Sequence, residues 1–174
     1  MATDTALLVI DMQVGNVGAA YRREAIVARL AELVAEARAA GTPIVFIQHE
    51  DDWLRPGVPA WQFLPALTPA EGELVIRKRA CDACYGTPLR EELTARGVRH
   101  LVVTGVQTEL CVDATCRRAA SEGFDVTLVA DDHTTEDTPT LPAAQIIAHH
   151  NRTLGQLAHP DHPLAVRPRA EIAR

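Results

Sequence analysis

The sequence predicts a three-layer α/β/α fold in which a doubly wound, mostly parallel sheet of five to six strands lies between helices. Short apolar runs rich in β-branched residues, typical of strands buried on both faces, alternate with segments of helical periodicity. This alternation calls for right-handed crossovers between parallel strands. Most of the runs end in polar side chains, and ligands of open α/β sheets bind outside the carboxyl ends of the strands. We therefore expect a single active face.

Length and composition exclude several classes of protein. The 174 residues suffice for one domain with a substantial core, and we assign residues 1–174 to it. A formal net charge of −6, with no cluster of lysine or arginine, argues against a nucleic-acid partner. No apolar stretch approaches membrane-spanning length and the N-terminus lacks a signal pattern, so we expect a cytoplasmic protein without a membrane partner. Four cysteines are too few for a disulfide scaffold, and a reducing compartment would keep them as thiols.

The first part of the chain supplies two predicted strands and a helix between them. Residues 6–10 form a continuous apolar run that ends abruptly at Asp11, and residues 44–47 form a second run. The segment 22–40 carries apolar side chains on one helical face: Ile26, Leu30, Leu33, Val34 and Ala37. Asp11 is therefore expected at the carboxyl end of a central strand.

An irregular segment, residues 51–72, follows the second strand. Several prolines interrupt it, and Trp53, Trp61 and Phe63 lie among them. These rings either pack the loop against the body of the protein or form a pocket wall or a subunit contact. The sequence leaves both interpretations open, because aromatic loop residues serve both purposes.

The later elements continue the alternation of strands and helices. Their predicted bounds are residues 74–76 for a strand that runs into Lys78, 87–96 for a helix with Thr87 as N-cap, 101–103 for a strand, 126–129 for a strand that runs into the polar residues 131–133, and 141–157 for a helix. Residues 164–166 are a candidate edge strand.

Residues 101–123 are the stretch around which the chain is organised. The apolar run ends at Gly105, and Thr108 is positioned to cap a helix that Gly123 closes. Cys111 then lies in the first helical turn, where unpaired N–H groups and the positive end of the helix dipole favour a thiolate and an oxyanion. The alternative is an ordinary buried cysteine.

Three side chains form a coherent set for acyl transfer. If the first and fourth strands are adjacent, as in a doubly wound sheet, Asp11 and Cys111 flank the topological switch point. A buried carboxylate can accept the proton of a thiol and return it to a leaving amine. A thiolate beside a carboxylate needs a nearby cation, and Lys78 supplies one. The topology alone does not bring the lysine's strand next to the other two residues.

Over residues 5–157 the chain resembles the isochorismatase-like cysteine hydrolases. The matching motifs are LLVIDMQ at residues 7–13, the lysine of IRKRACDACYGTPL at residues 76–89, and GVQTELCVDAT at residues 105–115. Each motif is short, but their order and spacing are specific. The resemblance implies the Rossmann-like fold of that family.

The resemblance also implies roles for individual residues. Asp11, Lys78 and Cys111 correspond to the family's catalytic triad. A cis peptide bond between Val106 and Gln107 is expected to open an oxyanion hole, which is formed by the N–H groups of Gln107 and Cys111.

The implied activity is cysteine-dependent hydrolysis of a C–N bond in a small-molecule amide, lactam, imide or ureide, through a thioester and without a cofactor. Family members that cleave the vinyl ether of isochorismate replace the nucleophile, so Cys111 favours the C–N branch. The alternatives are a thioester or ester hydrolase acting through the same site, and a non-catalytic binding or scaffold protein. Oligomers are usual in the family, and we expect a homodimer or homotetramer.

Two stretches depart from the family pattern. Nicotinamidases of the family bind a metal through an Asp-x-His pair after the second strand, whereas this chain has His49-Glu50-Asp51, with the acid and the histidine exchanged. We therefore expect no metal. Cys81 and Cys84 stand where aromatic residues often follow the family's lysine, and we interpret this C-x-x-C as small apolar residues rather than as a zinc or redox site.

Four residues are candidates for substrate binding: Gln13, Trp53, Trp61 and Tyr85. Gln13 either orients a substrate or holds the end of the first strand. The three aromatic rings either line the pocket or belong to the core or to an interface.

Overall fold

The computed structural model describes residues 4–172, which form alternating strands and helices. The strands are β1 (Thr5–Ile10), β2 (Ile44–His49), β3 (Leu74–Lys78), β4 (His100–Val106), β5 (Asp125–Thr134) and β6 (Leu164–Arg167). The α-helices are α1 (Arg23–Ala39), α2 (Leu89–Ala95), α3 (Asp113–Ser121) and α4 (Ala143–Gly155). A π-helical turn, Thr108–Val112, directly precedes α3.

The sheet is parallel, with six strands in the order β3-β2-β1-β4-β5-β6. The predicted doubly wound fold is confirmed. β1 pairs with both β2 and β4, so the strand order reverses between β1 and β4. Residues 164–167 form the candidate edge strand, β6. Within residues 4–172, no helix has the length and apolar character needed to cross a bilayer.

The core consists of two layers, one on each face of the sheet. Alternate residues of β1 point to opposite faces: Leu8 and Ile10 pack in one layer, and Leu7 and Val9 in the other. Helix α1 covers the second face with the five side chains that its periodicity predicts, all of which are buried. Helices α2, α3 and α4 contribute buried residues to the first face. All six residues of β1 are buried, as the position of a central strand requires.

The structure corrects the predicted end of the fifth strand. Asp131 does not terminate β5, which continues to Thr134. The pairing of β4 with β5 shifts after Val103, so that Gly105 lies opposite His133 although Val103 lies opposite Leu128. The extra residues of β5 bulge out of the ladder and the strand then resumes, which a reading of apolar runs could not anticipate.

The segment 51–72 packs against the body of the protein through Phe63 and two leucines. Phe63 forms an isolated bridge with Gln13, and its ring meets that of Phe46 edge to face at 5.7 Å. Leu64 and Leu67 are buried in the core. The segment therefore forms a fixed wall beside the carboxyl ends of β1 and β2.

Candidate active site

Asp11, Lys78 and Cys111 meet at the carboxyl edge of the sheet. Asp11 directly follows β1, Lys78 ends β3, and Cys111 lies in the π-helical turn after β4. The ammonium nitrogen of Lys78 is 2.7 Å from Asp11 Oδ2 and 3.1 Å from Cys111 Sγ. All three residues are buried, and Cys111 retains 9% of its accessible surface.

The lysine reaches the other two residues by crossing the end of β2. β3 is separated from β1 by β2, and Lys78 lies opposite His49 in the ladder between β2 and β3. Its Nζ atom is 3.1 Å from His49 Nδ1 and 3.1 Å from the carbonyl oxygen of Ala80. The side chain of Lys78, which is only 1% exposed, thus reaches across the width of β2 to the end of β1.

Gly105 allows the close approach of β1 and β4 beneath the site. Its φ is +117°, and a Cβ atom at this position would lie 2.1 Å from the carbonyl oxygen of Ile10, the residue before Asp11. No side chain larger than hydrogen fits there without moving a backbone segment. The peptide bond between Val106 and Gln107, which follows at once, is cis.

The turn that carries Cys111 is held by a buried polar network. Thr108 Oγ1 lies 2.8 Å from His133 Nδ1, and His133 Nε2 lies 2.8 Å from Asn151 Oδ1. Because the Asn151 amide group donates to the carbonyl of Ala130, its Oδ1 is left to accept from His133. His133 is therefore neutral, with its proton on Nε2, and burial lowers its pKa to about 4.

This network corrects the predicted helix start. Thr108 does not cap the helix, since its hydroxyl is bonded to His133 and no side-chain cap is present on the π-helical turn. Cys111 lies in that turn, two residues before α3 begins, rather than in the first turn of an α-helix. The carbonyl oxygen of Gln107 accepts hydrogen bonds from the N–H groups of Leu110 and Val112 instead.

The electrostatics of the three residues favour a protonated thiol at rest. Burial raises the pKa of Cys111, and the neighbouring Asp11 raises it further, while Lys78 opposes the shift. Burial also raises the pKa of Asp11, against the effect of Lys78. Burial lowers the pKa of Lys78, but the neighbouring Asp11 and Cys111 raise it by more, so that the net shift is upward. These directions favour a protonated Cys111 thiol beside the ion pair of Asp11 and Lys78, rather than the thiolate expected from a helix dipole alone.

The residues around the lysine do not fit a metal ion. Donor atoms of Asp11, His49 and Cys111 lie within 4.8 Å of one another, which is close enough for a shared cation. However, Lys78 Nζ is 2.7 to 3.1 Å from each of them and occupies that position with its own charge. Asp51 is committed elsewhere, because its Oδ1 accepts the N–H groups of two loop residues. We route no step of the chemistry through a metal.

Gln13 holds the end of the first strand. Its amide nitrogen donates to the carbonyl oxygens of His49 and Trp61, at 3.0 and 2.9 Å, and its Oε1 accepts the N–H of His49 at 2.8 Å. The side chain is completely buried, so it has no polar atom to offer a substrate. Of the two interpretations of this residue, the structure favours the architectural one.

The three candidate aromatic residues lie in different surroundings. Tyr85 is 71% exposed and lines a cleft of about 380 Å³ whose walls also include Lys78. Trp61 lines a separate cleft of about 720 Å³ beside β3, and the guanidinium group of Arg77 lies 5.0 Å from its ring. Trp53 is 62% exposed. Tyr85 is thus the candidate that shares a cleft with a triad residue.

The two cysteines of the C-x-x-C stretch differ in environment. Cys81 is exposed, which does not fit the interpretation of this residue as an apolar filler. Cys84 is partly buried and packs against the core, and burial raises the pKa of its thiol to about 12. Both are free thiols, as are Cys111 and Cys116.

Sequence reasoning missed two parts of the site. His49 contacts Lys78 directly, and the signal for this contact was its position at the carboxyl end of a strand next to the lysine's strand. The pair formed by Thr108 and His133 could not have been found from spacing, because the bulge in β5 changes the register before His133.

Several known proteins are similar to this chain. The family model of the isochorismatase domain matches residues 5–144. A streptothricin hydrolase from Streptomyces noursei is 36% identical over 143 residues, which cover 79% of this chain and 57% of that protein. A ureidoacrylate amidohydrolase, RutB, from Methylorubrum extorquens is 33% identical over 124 residues, covering 53% of this chain and 50% of that protein. The chain thus spans little more than half the length of these relatives.

A solved structure extends the similarity over nearly the whole chain. An isochorismatase from Pseudomonas putida KT2440 superimposes with a TM-score of 0.87 at 32% identity, covering 98% of this chain and 91% of that one. The sequence motifs, the strand order and these matches agree with one another. The chain belongs to the isochorismatase family of hydrolases.

Proposed function

We propose that the protein is a cysteine hydrolase that cleaves a C–N bond of a small-molecule amide, lactam, imide or ureide. The observation that carries this proposal is the position of Lys78 Nζ, 2.7 Å from the Asp11 carboxylate and 3.1 Å from the Cys111 sulfur. A similar protein that is named an amidohydrolase supports the choice of a C–N bond. The proposed reaction uses only side chains and backbone N–H groups of the protein, the substrate and water.

The first half of the reaction forms a thioester. Cys111 Sγ attacks the carbonyl carbon while Asp11 accepts its proton. Asp11 Oδ2 faces Lys78, and its buried Oδ1 has no hydrogen-bond partner among residues 4–172, which leaves this oxygen free for the proton. The N–H groups of Gln107 and Cys111 bind the oxyanion. When the C–N bond breaks, Asp11 returns the proton to the departing nitrogen.

The second half releases the acid. Water attacks the thioester carbonyl and gives its proton to Asp11, the C–S bond breaks, and the sulfur regains the proton. Lys78 remains an ammonium throughout and balances whichever of the two neighbouring groups is negative. Because burial and Asp11 raise the pKa of the Cys111 thiol, we expect proton transfer to accompany the attack rather than precede it.

Turnover on a panel of leaving groups tests the reaction class. Amides, lactams and ureides are assayed for release of ammonia or amine, beside esters and thioesters of matched acids. We expect turnover of the C–N substrates and its loss in Cys111→Ala and Asp11→Asn. Turnover confined to esters or thioesters would show that the protein is instead an ester or thioester hydrolase. Activity that persists in Cys111→Ala would refute a cysteine nucleophile.

Thiol labelling separates an enzyme from a scaffold protein. Cys81 is exposed and will react with iodoacetamide for that reason alone, so the measurement is made in a Cys81→Ser variant. Burial raises the pKa of Cys84, Cys111 and Cys116 alike, but only the sulfur of Cys111, among these three, lies 3.1 Å from a lysine ammonium that stabilises negative charge on it during the attack. We therefore expect Cys111 to react next, ahead of Cys84 and Cys116. Equal or absent labelling of Cys111 would favour a scaffold.

A further inference from the structure

The imidazole of His49 lies between the lysine of the site and a loop carboxylate. Its Nδ1 is 3.1 Å from Lys78 Nζ, and its Nε2 is 3.5 Å from Asp51 Oδ2. His49 is the last residue of β2, and 17% of its side chain is exposed. The proposed reaction assigns it no role.

Counting protons fixes the state of this ring. The ammonium group of Lys78 carries three N–H donors and no acceptor. Four acceptors lie within 3.1 Å of these three donors: Asp11 Oδ2, Cys111 Sγ, the carbonyl oxygen of Ala80 and His49 Nδ1. Because the ammonium cannot accept, Nδ1 of His49 has no hydrogen-bond use for a proton there and is assigned none. In the neutral ring the proton then lies on Nε2, the atom that faces Asp51.

The Asp51 carboxylate is held in place on the side of the ring where that proton lies, 3.5 Å from Nε2. Its Oδ1 accepts the N–H groups of Trp53 and Leu54 at 2.7 and 2.6 Å, and its own N–H donates to the carbonyl of Leu54 at 2.9 Å. These bonds hold the carboxylate with Oδ2 toward the ring. Asp51 itself is exposed, so the arrangement does not bury a second charge.

We propose that His49 is a positioning residue for Lys78, and that Asp51 selects the tautomer which lets it accept the lysine's hydrogen bond. The exchanged order of acid and histidine at the end of β2 then has a structural role, because the histidine faces the site and the acid lies on the far side of the ring. The proposal rests on the proposed function only in taking Lys78 and Cys111 as the working pair.

Protonation of His49 opposes this role. An imidazolium would direct an N–H group at the ammonium of Lys78. The charged groups that face the ring are Lys78 from β3, Asp11 from β1 and Asp51 from the loop, with the Cys111 thiol beyond the lysine. Burial and Lys78 lower the pKa of His49, and the two carboxylates oppose them. The ring is therefore neutral at neutral pH, and reactivity should fall where the ring gains a proton.

Four variants in the Cys81→Ser background separate positioning from folding. His49→Ala removes the acceptor, and His49→Asn keeps an acceptor oxygen in the place of Nδ1. Asp51→Asn keeps Oδ1 for the loop but puts an amide donor opposite Nε2, which drives the ring to the other tautomer. Asp52→Asn, at the exposed neighbouring residue, makes the same charge change and is the matched control.

The primary readout is the rate of Cys111 alkylation by iodoacetamide across pH, which needs no substrate. Loss of a hydrogen bond to a charged group should slow it by about 10- to 100-fold in His49→Ala and Asp51→Asn. The alkylation rates of His49→Asn and Asp52→Asn should stay close to that of the parent. Of these two variants, only His49→Asn should lose the inflection that titration of His49 gives to the curve of rate against pH. In the His49→Asn background, Asp51→Asn should have no further effect.

The ¹⁵N chemical shifts of the His49 ring provide the second readout. We expect an unprotonated Nδ1 in the parent and a protonated Nδ1 in Asp51→Asn. Parent-like alkylation in His49→Ala, an unchanged tautomer in Asp51→Asn, or an equal Asp51→Asn effect with and without His49 would each overturn the proposal. Failure of the proposed function is seen separately, as turnover that survives Cys111→Ala.

Discussion

Replacing Gly105 by alanine tests whether the close approach of β1 and β4 builds the site. The new Cβ would lie 2.1 Å from the carbonyl oxygen of Ile10 and 2.7 Å from its nitrogen. A carbon–oxygen contact of about 3.3 Å is normal, so a backbone segment must move by about 1 Å. The φ of +117° adds strain for any residue with a Cβ atom. Overpacking and backbone strain together should lower the free energy of unfolding by about 3 to 5 kcal/mol.

Gly97→Ala is the matched control for this variant. Gly97 also has a positive φ, of +70°, but a Cβ atom there would meet no heavy atom within 4 Å. Backbone strain alone should lower its free energy of unfolding by about 1 to 2 kcal/mol. Urea denaturation followed by far-UV circular dichroism gives both values, provided that the m-values agree.

The displaced residue is Ile10, which is bonded directly to Asp11. Gly105→Ala should therefore also slow alkylation of Cys111, whereas Gly97→Ala should leave it unchanged. If Gly105→Ala and Gly97→Ala lower the free energy of unfolding equally, the contact with Ile10 contributes nothing to the loss. The claim that Gly105 is needed for the close approach of β1 and β4 would then be refuted. If Gly105→Ala is less stable but alkylates normally, the glycine supports the fold without shaping the site.

Three further predictions concern the buried polar groups around the site. Thr108→Val should lower the free energy of unfolding by about 1 to 3 kcal/mol, because it leaves Nδ1 of His133 without a donor, and Thr108→Ser should recover most of the loss in urea denaturation. Burial lowers the pKa of His133 to about 4, so between about pH 6.5 and that value the unfolded chain binds a proton that the folded protein does not. The free energy of unfolding should therefore fall by up to about 3 kcal/mol as the pH is lowered through this range. In urea denaturation at several pH values, the free energy of unfolding of His133→Gln should depend less steeply on pH than that of the parent. Arg29→Met should lower the free energy of unfolding by about 1 to 3 kcal/mol, because it removes the 2.8 Å partner of the buried Asp132 carboxylate and leaves it with Arg169 at 3.9 Å. The double variant with Asp132→Asn should recover most of that loss. A double variant no more stable than Arg29→Met would mean that the loss comes from packing of the arginine stem.

The architecture was predictable because its signals are local and repeated. Continuous apolar runs mark strands buried on both faces, and the five apolar positions of α1 at helical spacing are the five that the structure buries. The adjacency of β1 and β4 follows from the rule for doubly wound sheets, and it brings Asp11 near Cys111. Neither inference needed information about side-chain reach.

The position of Lys78 was not derivable from topology. β3 lies two strands away from β1, and contact depends on a lysine being long enough to cross β2 and on its register opposite His49. The resemblance to a family supplied the triad where the residues alone did not. The π-helical turn and the bulge of β5 are likewise set by tertiary contacts, through Thr108 and His133, that no local pattern records.

The energetics of the buried triad favour a catalytic protein over a scaffold. Transferring a carboxylate and an ammonium out of water costs several kcal/mol per ion, and even a well-formed buried pair is often no more stabilising than apolar residues of the same size. Lys78 is 1% exposed and lies 2.7 Å from the buried Asp11, so this penalty is present in the folded protein. A protein that only needed the fold could fill the same space with apolar side chains and gain stability. Retaining a charged pair around a thiol is reasonable when the charges act on that thiol, which is why the reactivity of Cys111, rather than the stability of the fold, is the property that the site should control.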